Sequence, residues 1–147
     1  MNTNSKTIQM KDTKVLLSTL WIVVMINMAY ADILSLHIPG ILEELAVSAG
    51  ETPITQLMLI GAIMTEIPIA MIFLSRILKY KVNRWANIVA GVITIAYVVG
   101  ARSLYPHYIF IATIEVVCML LIVWLAWKWR NPEGAAKTAT NELLSAV

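Results

Sequence analysis

The chain consists of four long apolar segments separated by short polar connections. The apolar segments cover residues 15–36, 54–78, 85–104 and 108–129. Each one approaches or exceeds the ~20 residues that a helix needs to cross about 30 Å of hydrocarbon. The pattern therefore predicts an all-α fold, in which residues 15–130 form a polytopic transmembrane four-helix bundle.

The connections and termini complete this domain division. Pro39 and Gly40 end the first apolar segment, and residues 41–50 combine an apolar side with an acidic side, as in a short interfacial helix that Gly50 ends. Residues 1–14 and 131–147 are polar, and we expect two flexible cytoplasmic tails. The small residues around Tyr30 also fit a signal-peptide cleavage site, but the apolar run continues beyond them, which favours an uncleaved first helix.

Composition points to the same class of protein. Apolar residues make up 59% of the chain, charged residues only 14%, and the mean hydropathy is +0.76. An ordinary soluble domain is less apolar, so the remaining alternative is a soluble bundle of four fully buried helices. The single Cys118 excludes an internal disulfide and a paired-cysteine redox motif.

The basic residues predict the orientation in the membrane. Of the eleven lysines and arginines, ten lie before the first segment, from the end of the second to the start of the third, or at and after the end of the fourth. The opposite side holds only Arg102, together with Glu43, Glu44 and Glu51. Positive charge collects on the cytoplasmic side of membrane proteins, so we expect both termini in the cytoplasm. The net charge of +2 then reflects topology, and we expect no nucleic-acid partner.

Short patterns recur along the chain, one set shifted by 67 residues and the other by 49. They are Ala29-Tyr30 and Pro39, repeated as Ala96-Tyr97 and Pro106, and Glu66 and Lys79, repeated as Glu115 and Lys128. Two hairpins of equal orientation would be related by an axis along the membrane normal. The pattern is compatible with a parallel repeat of two hairpins and also with chance similarity.

Two glutamates stand inside apolar segments. Glu66 lies roughly 18 Å from the outer end of the second segment, and Glu115 roughly 10 Å from the start of the fourth. A carboxylate near the middle of a membrane helix costs ~2.5–3.5 kcal/mol on insertion scales, so it usually has a partner or a use. Pro68 has no N–H and leaves a carbonyl without its helical donor beside Glu66, which adds a second polar group there.

Further polar residues fall in the same outer half of the predicted bundle. Asp32 and Arg102 lie near the outer ends of the first and third segments, with Asn27, Tyr30, Thr94 and Tyr97 nearby in depth. The sequence thus predicts an outward-facing polar cavity. Its expected ligand-binding or proton-binding residues are Glu66, Glu115, Asp32, Arg102, Asn27, Tyr30 and Tyr97.

The same residues also permit structural interpretations. Asp32 and Arg102 suit an interfacial position in contact with headgroup water. Glu66 and Glu115 either bind a proton, ion or substrate, or serve as hydrogen-bonded packing groups between helices. Asn87, Gly91, Thr94 and Tyr97 form a small and polar helical stripe suited to close packing. His37 and His107 occur in connections, where histidines are usually solvated, and we expect no metal site and no cofactor.

Two stretches carry a family resemblance. EIPIAMIFLSRILKYKVNRWANI and, later, YPHYIFIATIEVVCMLL resemble a group of small bacterial four-helix integral membrane proteins of unknown function. The resemblance covers roughly residues 15–131 and implies a location in the bacterial cytoplasmic (inner) membrane, without an activity. The arrangement is also remotely similar to that of DoxX-like proteins, some of which are linked to redox or respiratory functions. Neither resemblance supplies a catalytic residue.

Three functions remain open on the sequence alone. The favoured hypothesis is binding or transport of a small molecule or ion by the membrane-embedded glutamates. The second is a membrane enzyme or a subunit of a redox assembly that acts on a lipid-soluble substrate, although no catalytic motif supports an enzyme. The third is a structural or assembly partner. Because 16.4 kDa offers little interior, we also expect a homo-oligomer or a membrane partner protein in the lipid bilayer.

Overall fold

The computed structural model describes residues 3–100 and 104–129, with side chains from residue 10 onward. Those residues form five helices and no strand, which confirms the all-α fold class. The helices are α1 (Thr3–Leu36), α2 (Ile41–Ser48), α3 (Ile54–Ile77), α4 (Tyr80–Gly100) and α5 (Pro106–Lys128). Four of them, all but α2, are long and apolar enough to cross a membrane.

The helix bounds differ from the apolar segments mainly at the polar ends. α1 begins at Thr3 although the apolar run begins at residue 15, and α4 begins at Tyr80, before the apolar run at residue 85. Hydropathy marks the part of a helix that suits hydrocarbon, whereas the helix itself continues into water wherever its backbone hydrogen bonds can continue. The predicted tail at residues 131–147 lies outside the described residues.

The short helix α2 occupies the connection between α1 and α3. Gly40 precedes it with φ 80°, and Gly50 follows it with φ 59°. Both values lie in the left-handed region, which glycine adopts without the steric cost that a Cβ would bring. The two glycines therefore allow the chain to leave α1, form one short amphipathic helix and enter α3.

The four long helices form a ring in which neighbours are antiparallel. α1 packs against α3 and α5, and α4 packs against the same two helices. Their shared core contains Leu17 and Trp21 of α1, Met71 of α3 and Met119 of α5. This order is the one that a repeat of two hairpins, α1–α3 and α4–α5, would require. The repeat itself stays a prediction.

The two ends of the ring differ in charge. One end, which we call the basic end, carries Lys14, Arg76, Lys79 and Arg84, with Lys128 in the last turn of α5. Here Arg84 lies 5.7 Å from the ring centre of Trp127, and the Lys128 ammonium lies 4.8 Å from that of Trp124. The opposite end, the acidic end, carries Glu43, Glu44 and Glu51. The charge separation predicted from the sequence thus coincides with the two ends of one bundle.

Side chains from other helices satisfy the carbonyls at the end of α3. The last turn of a helix has carbonyls without intrahelical donors. Lys14 of α1 donates from Nζ to the Leu78 carbonyl at 2.7 Å, and Asn83 of α4 donates from Nδ2 to the Ser75 carbonyl at 2.6 Å. These bonds join the end of α3 to both of its neighbours.

Asn87 is the centre of a buried polar network in the half of the bundle nearer the basic end. Its Oδ1 accepts from Trp21 Nε1 at 2.7 Å and from Ser75 Oγ at 3.2 Å. Its Nδ2 donates to the backbone carbonyl and to Oδ1 of Asn83, at 2.9 and 2.6 Å. An amide side chain has two donor and two acceptor positions, so Asn87 is fully satisfied and connects α1, α3 and α4.

Gly91 sets the distance between α4 and α5. A Cβ at this position would lie 2.8 Å from Cγ2 of Val123 and 3.8 Å from the Met119 carbonyl oxygen. The first distance is shorter than real contacts allow, so a larger residue requires a shift of the Val123 side chain or of α5. Asn87, Gly91 and Thr94 are all buried and Tyr97 is half-buried, which confirms the predicted packing stripe on α4.

Removal of the Asn87 amide should destabilise the bundle. Asn87→Ala leaves the Trp21 indole N–H and Asn83 Oδ1 without their partners, and each such buried group costs about 1–3 kcal/mol. We therefore expect a clear fall in the apparent Tm of the detergent-purified protein. Asn27→Ala is the control, since Asn27 bonds only to the Val23 carbonyl of its own helix. Equal melting of the two variants would contradict this role of Asn87.

Gly91→Ala should loosen the contact of α4 with α5. Overpacking of this kind costs typically about 1–3 kcal/mol, and Val123→Ala in the same chain should recover most of the loss because it removes the clashing methyl group. A double-mutant cycle on apparent Tm measures this coupling. Gly61→Ala serves as the control, because its Cβ would make only an ordinary 3.6 Å contact with the Tyr97 hydroxyl. Additive effects of the Gly91 and Val123 changes would argue against the clash.

Candidate functional site

The interior face of α5 carries a single acid. Its buried positions are Ile111, Glu115, Met119, Ile122 and Ala126, spaced three or four residues apart. That spacing places them on one side of a helix, directed to the bundle axis. Glu115 is therefore held inside the bundle by the same packing that buries its apolar neighbours, and only 3% of its surface is exposed.

One carboxylate oxygen of Glu115 has no hydrogen-bond partner. Oε1 is enclosed and bonds to nothing among the described residues. The other enclosed side-chain atom in this condition is Nε of Arg84, at the basic end, whose guanidinium lies over Trp127. Buried polar atoms are satisfied in the great majority of cases, so an orphaned acid within a membrane-spanning helix needs an explanation.

Electrostatic interactions connect this acid to residues of other helices. Asp32 of α1 interacts with both Glu115 and Tyr108 of α5. Tyr97 of α4 interacts with Asp32 and Tyr108. Tyr108 donates its hydroxyl to the Val98 carbonyl of α4 at 3.3 Å. We call Asp32, Tyr97, Tyr108 and Glu115 the Glu115 cluster. It occupies the half of the bundle nearer the acidic end.

The depth of the cluster follows from the helix bounds. Glu115 lies nine residues beyond Pro106, about 14 Å along α5, and Asp32 lies four residues before the end of α1, about 6 Å from it. Asp32 is exposed, whereas Glu115 is buried. The cluster thus extends from the surface of the bundle near the acidic end toward its middle.

The other sequence-predicted site residues lie elsewhere. Asn27 donates to the Val23 carbonyl of α1, and Tyr30 is 59% exposed. Glu66 is exposed on α3, whose buried residues are Pro68, Met71 and Ser75. At 100° per residue, Glu66 points away from that buried side. Arg102 lies outside the described residues.

Two hydrogen bonds connect the segments at the acidic end. Ser35 Oγ of α1 lies 3.3 Å from His107 Nε2 of α5. Tyr105, just before α5, donates its hydroxyl to Glu44 Oε2 of α2 at 2.7 Å. These contacts join α1 to α5, and α2 to the segment just before α5, at the acidic end.

Sequence reasoning missed several of these polar residues. The sequence patterns gave no role to Tyr108, Trp21 or Asn83. The signal for Asn83 was present, because Asn83, Asn87 and Thr94 share one helical face of α4. No pattern in a single sequence indicates that Trp21 of α1 donates to Asn87, since the two residues are 66 positions apart.

The arrangement is suited to binding a proton or another cation. A carboxyl group in apolar surroundings is stable as the neutral acid, or as the anion when a cation accompanies it. Asp32 supplies a second carboxylate toward the surface, whereas the hydroxyl proton of Tyr108 is already donated to the Val98 carbonyl. The described residues contain no group of three or more His, Cys, Asp or Glu side chains that could hold a metal ion.

The bond between Tyr105 and Glu44 should be visible in a pH titration. Donation to Glu44 raises the pKa of Tyr105 above its ordinary value. The contact is therefore present below the ordinary tyrosine pKa and is lost as the pH rises through the raised pKa of Tyr105.

We expect Glu44→Gln to lower the pKa of Tyr105 toward the ordinary value of about 10. Ultraviolet absorbance of ionised tyrosine measures this change. Comparison with Tyr105→Phe identifies the part of the absorbance titration that comes from Tyr105. Glu43→Gln, a change at the adjacent exposed acid, should leave the titration as it is. The same pKa with and without the Glu44 carboxylate would show that the hydrogen bond does not persist in solution.

Comparison with known proteins gives a family without an activity. No curated protein and no solved structure is detectably similar to this chain. The similarity to DoxX-like proteins accordingly stays a prediction. A family model does match, over residues 7–136, and it describes a family of unknown function, DUF6326. Since this match covers most of the chain and the described residues include four helices long and apolar enough to cross a membrane, the protein is a helical membrane protein that belongs to the DUF6326 family of unknown function.

Proposed function

We propose that this protein binds, and through binding transports, a small cationic ligand at Glu115. A proton is the smallest such ligand. A metal cation or a small organic cation would likewise neutralise the charge of the buried carboxylate. The observation that carries the proposal is the enclosed Oε1 of Glu115, which has no hydrogen-bond partner among the described residues. Asp32 is the proposed outer binding group, and Tyr97 is the proposed neutral donor, because the hydroxyl proton of Tyr108 is already donated to the Val98 carbonyl.

The unpaired oxygen favours a ligand over a packing role. A glutamate that stabilises a bundle as interhelical glue must donate or accept hydrogen bonds across a helix interface. Asn87 has that role here, because all four of its polar positions are used. Glu115 has an equally buried side chain but leaves an acceptor unused, which is the state expected of a group that exchanges its partner.

The proposal includes a direction of access. The positive-inside rule assigns the basic end to the cytoplasm, so the acidic end and Asp32 face outward. We place the protein in the bacterial cytoplasmic membrane with both termini inside. A cation then enters from the outer side past Asp32 and reaches Glu115 near the middle of the bundle. Conduction to the basic end requires a rearrangement of the core around Met119 and Trp21, which are fully buried.

Infrared difference spectroscopy on the reconstituted protein tests this function directly. The carbonyl stretch of a protonated carboxyl group disappears when the group ionises. We expect a band that is lost as the pH rises, that is absent in Glu115→Gln, and whose midpoint moves to lower pH when sodium, potassium or tetramethylammonium is added as a competing cation. The shift follows from linkage, since a cation and a proton compete for one carboxylate.

Glu66→Gln is the matched control for this experiment. It removes a membrane-embedded acid of the same type from the exposed face of α3 and should leave the Glu115 band unchanged. A Glu115 band that stays constant across the accessible pH range, or that no cation shifts, would assign Glu115 to packing. Proton uptake into vesicles under an imposed potential then separates transport from binding alone.

A further inference from the structure

The lipid-facing side of α3 is the least covered surface among the membrane-spanning helices. Only 11% of its apolar window is buried inside the bundle, compared with 28–33% for α1, α4 and α5. The exposed residues include Leu59, Ala62, Glu66, Ala70 and Phe73. Their spacing of three and four residues places them on one continuous stripe, which we call the Glu66 face.

Glu66 lies at the middle of this face and of the helix. It is twelve residues from the start of α3 and eleven from its end, about 18 Å from the former. The described part of the chain provides it with no hydrogen-bond partner. A charged or polar group facing hydrocarbon at the bilayer centre costs ~2.5–3.5 kcal/mol on insertion scales, so a single bundle leaves a substantial cost in place.

The neighbours of Glu66 favour close approach of another helix. Ala62 lies one turn before it and Ala70 one turn after it, and both are exposed. Small residues on a membrane helix let a second backbone come near, which increases van der Waals contact where no hydrophobic driving force exists. The Glu66 face therefore combines small side chains, which allow a second helix to approach, with one polar group at its centre.

We propose that the Glu66 face is the interface with a second copy of this chain, in which the two Glu66 carboxyl groups share a hydrogen bond. A parallel dimer has its twofold axis along the membrane normal, so each residue of α3 meets the partner helix at its own depth. The second copy thus places its own Glu66 carboxyl group at the same depth in the membrane, as a consequence of the symmetry alone. When one of the two groups is protonated, it donates to the other.

Other occupants match the face less well. Lipid chains offer no hydrogen-bonding group at the middle of the bilayer. An unrelated membrane protein would need its own polar side chain at the same depth. The equal orientation of all copies, set by the basic residues at one end, also favours a parallel pair. The proposal does not depend on the role of Glu115, which lies inside the bundle.

Disulfide cross-linking in native membranes tests the interface. Cys118 is the only cysteine, so Cys118→Ser gives a background without thiols. Ala62→Cys and Ala70→Cys are then introduced separately on the Glu66 face, and Val92→Cys, on the exposed side of α4, is the control. Disulfides form only when the Cβ atoms approach to about 4 Å. We expect oxidation to yield dimer from the two α3 variants at least severalfold more than from the α4 control.

Substitutions at Glu66 then test the chemistry of the contact. Glu66→Gln can still donate and accept, so it should keep the cross-linked dimer. Glu66→Leu removes the hydrogen bond while keeping an apolar side chain suited to lipid, and it should reduce the cross-linked fraction severalfold. The fold of each variant is checked by far-ultraviolet circular dichroism, which should match that of the wild type because the Glu66 side chain is exposed on the surface of the bundle.

Three results would overturn the proposal. The first is cross-linking of the α3 variants no stronger than that of the α4 control. The second is equal dimer from Glu66→Leu and Glu66→Gln, which would show that the carboxyl group is not part of the contact. The third is cross-linking of Ala62→Cys mainly to a different membrane protein, which would assign the Glu66 face to that partner.

Discussion

The hydrocarbon core of a bilayer contains no water, so each polar group of this bundle must find its partner within the protein or face a high cost. The network around Asn87 meets that condition completely. It joins α1, α3 and α4 through one amide, while Lys14 and Asn83 satisfy carbonyls at the end of α3. The half of the bundle near the basic end is therefore held by the satisfied hydrogen bonds of Asn87 as well as by packing.

The same constraint gives the two membrane glutamates different meanings. Glu115 lies inside the bundle with an oxygen that no described group binds, and Glu66 lies on the outside, where the described residues offer it no hydrogen-bond partner. A carboxyl group without a partner inside the bundle favours a ligand small enough to enter. A carboxyl group without a partner on the outer face favours contact with another protein surface. One sequence feature, an acid in an apolar helix, thus supports two distinct roles because the helix faces differ.

This difference also bears on the possible repeat. The alignment of the two hairpins equates Glu66 with Glu115, and the ring order of the helices is compatible with such a pairing. A rotation that relates the hairpins would direct equivalent residues to equivalent sides. The buried Glu115 and the exposed Glu66 do not share a side, so if the hairpins arose by duplication, their faces have since diverged.

Hydropathy alone determined the number of long helices, because it depends on the length of apolar segments and not on contacts. The positions of the basic residues likewise determined which helix ends share one end of the bundle. The stripe from Asn87 to Tyr97 was visible for the same reason: helical periodicity is local. What the sequence left open was the rotation of each helix about its axis. α3 is apolar on every side, so no pattern indicates which face Glu66 occupies, and the partners of Trp21 and Glu115 lie on other helices. Only packing in three dimensions decides those orientations. Packing therefore also decides that Glu115 faces the interior of the bundle and that Glu66 faces outward.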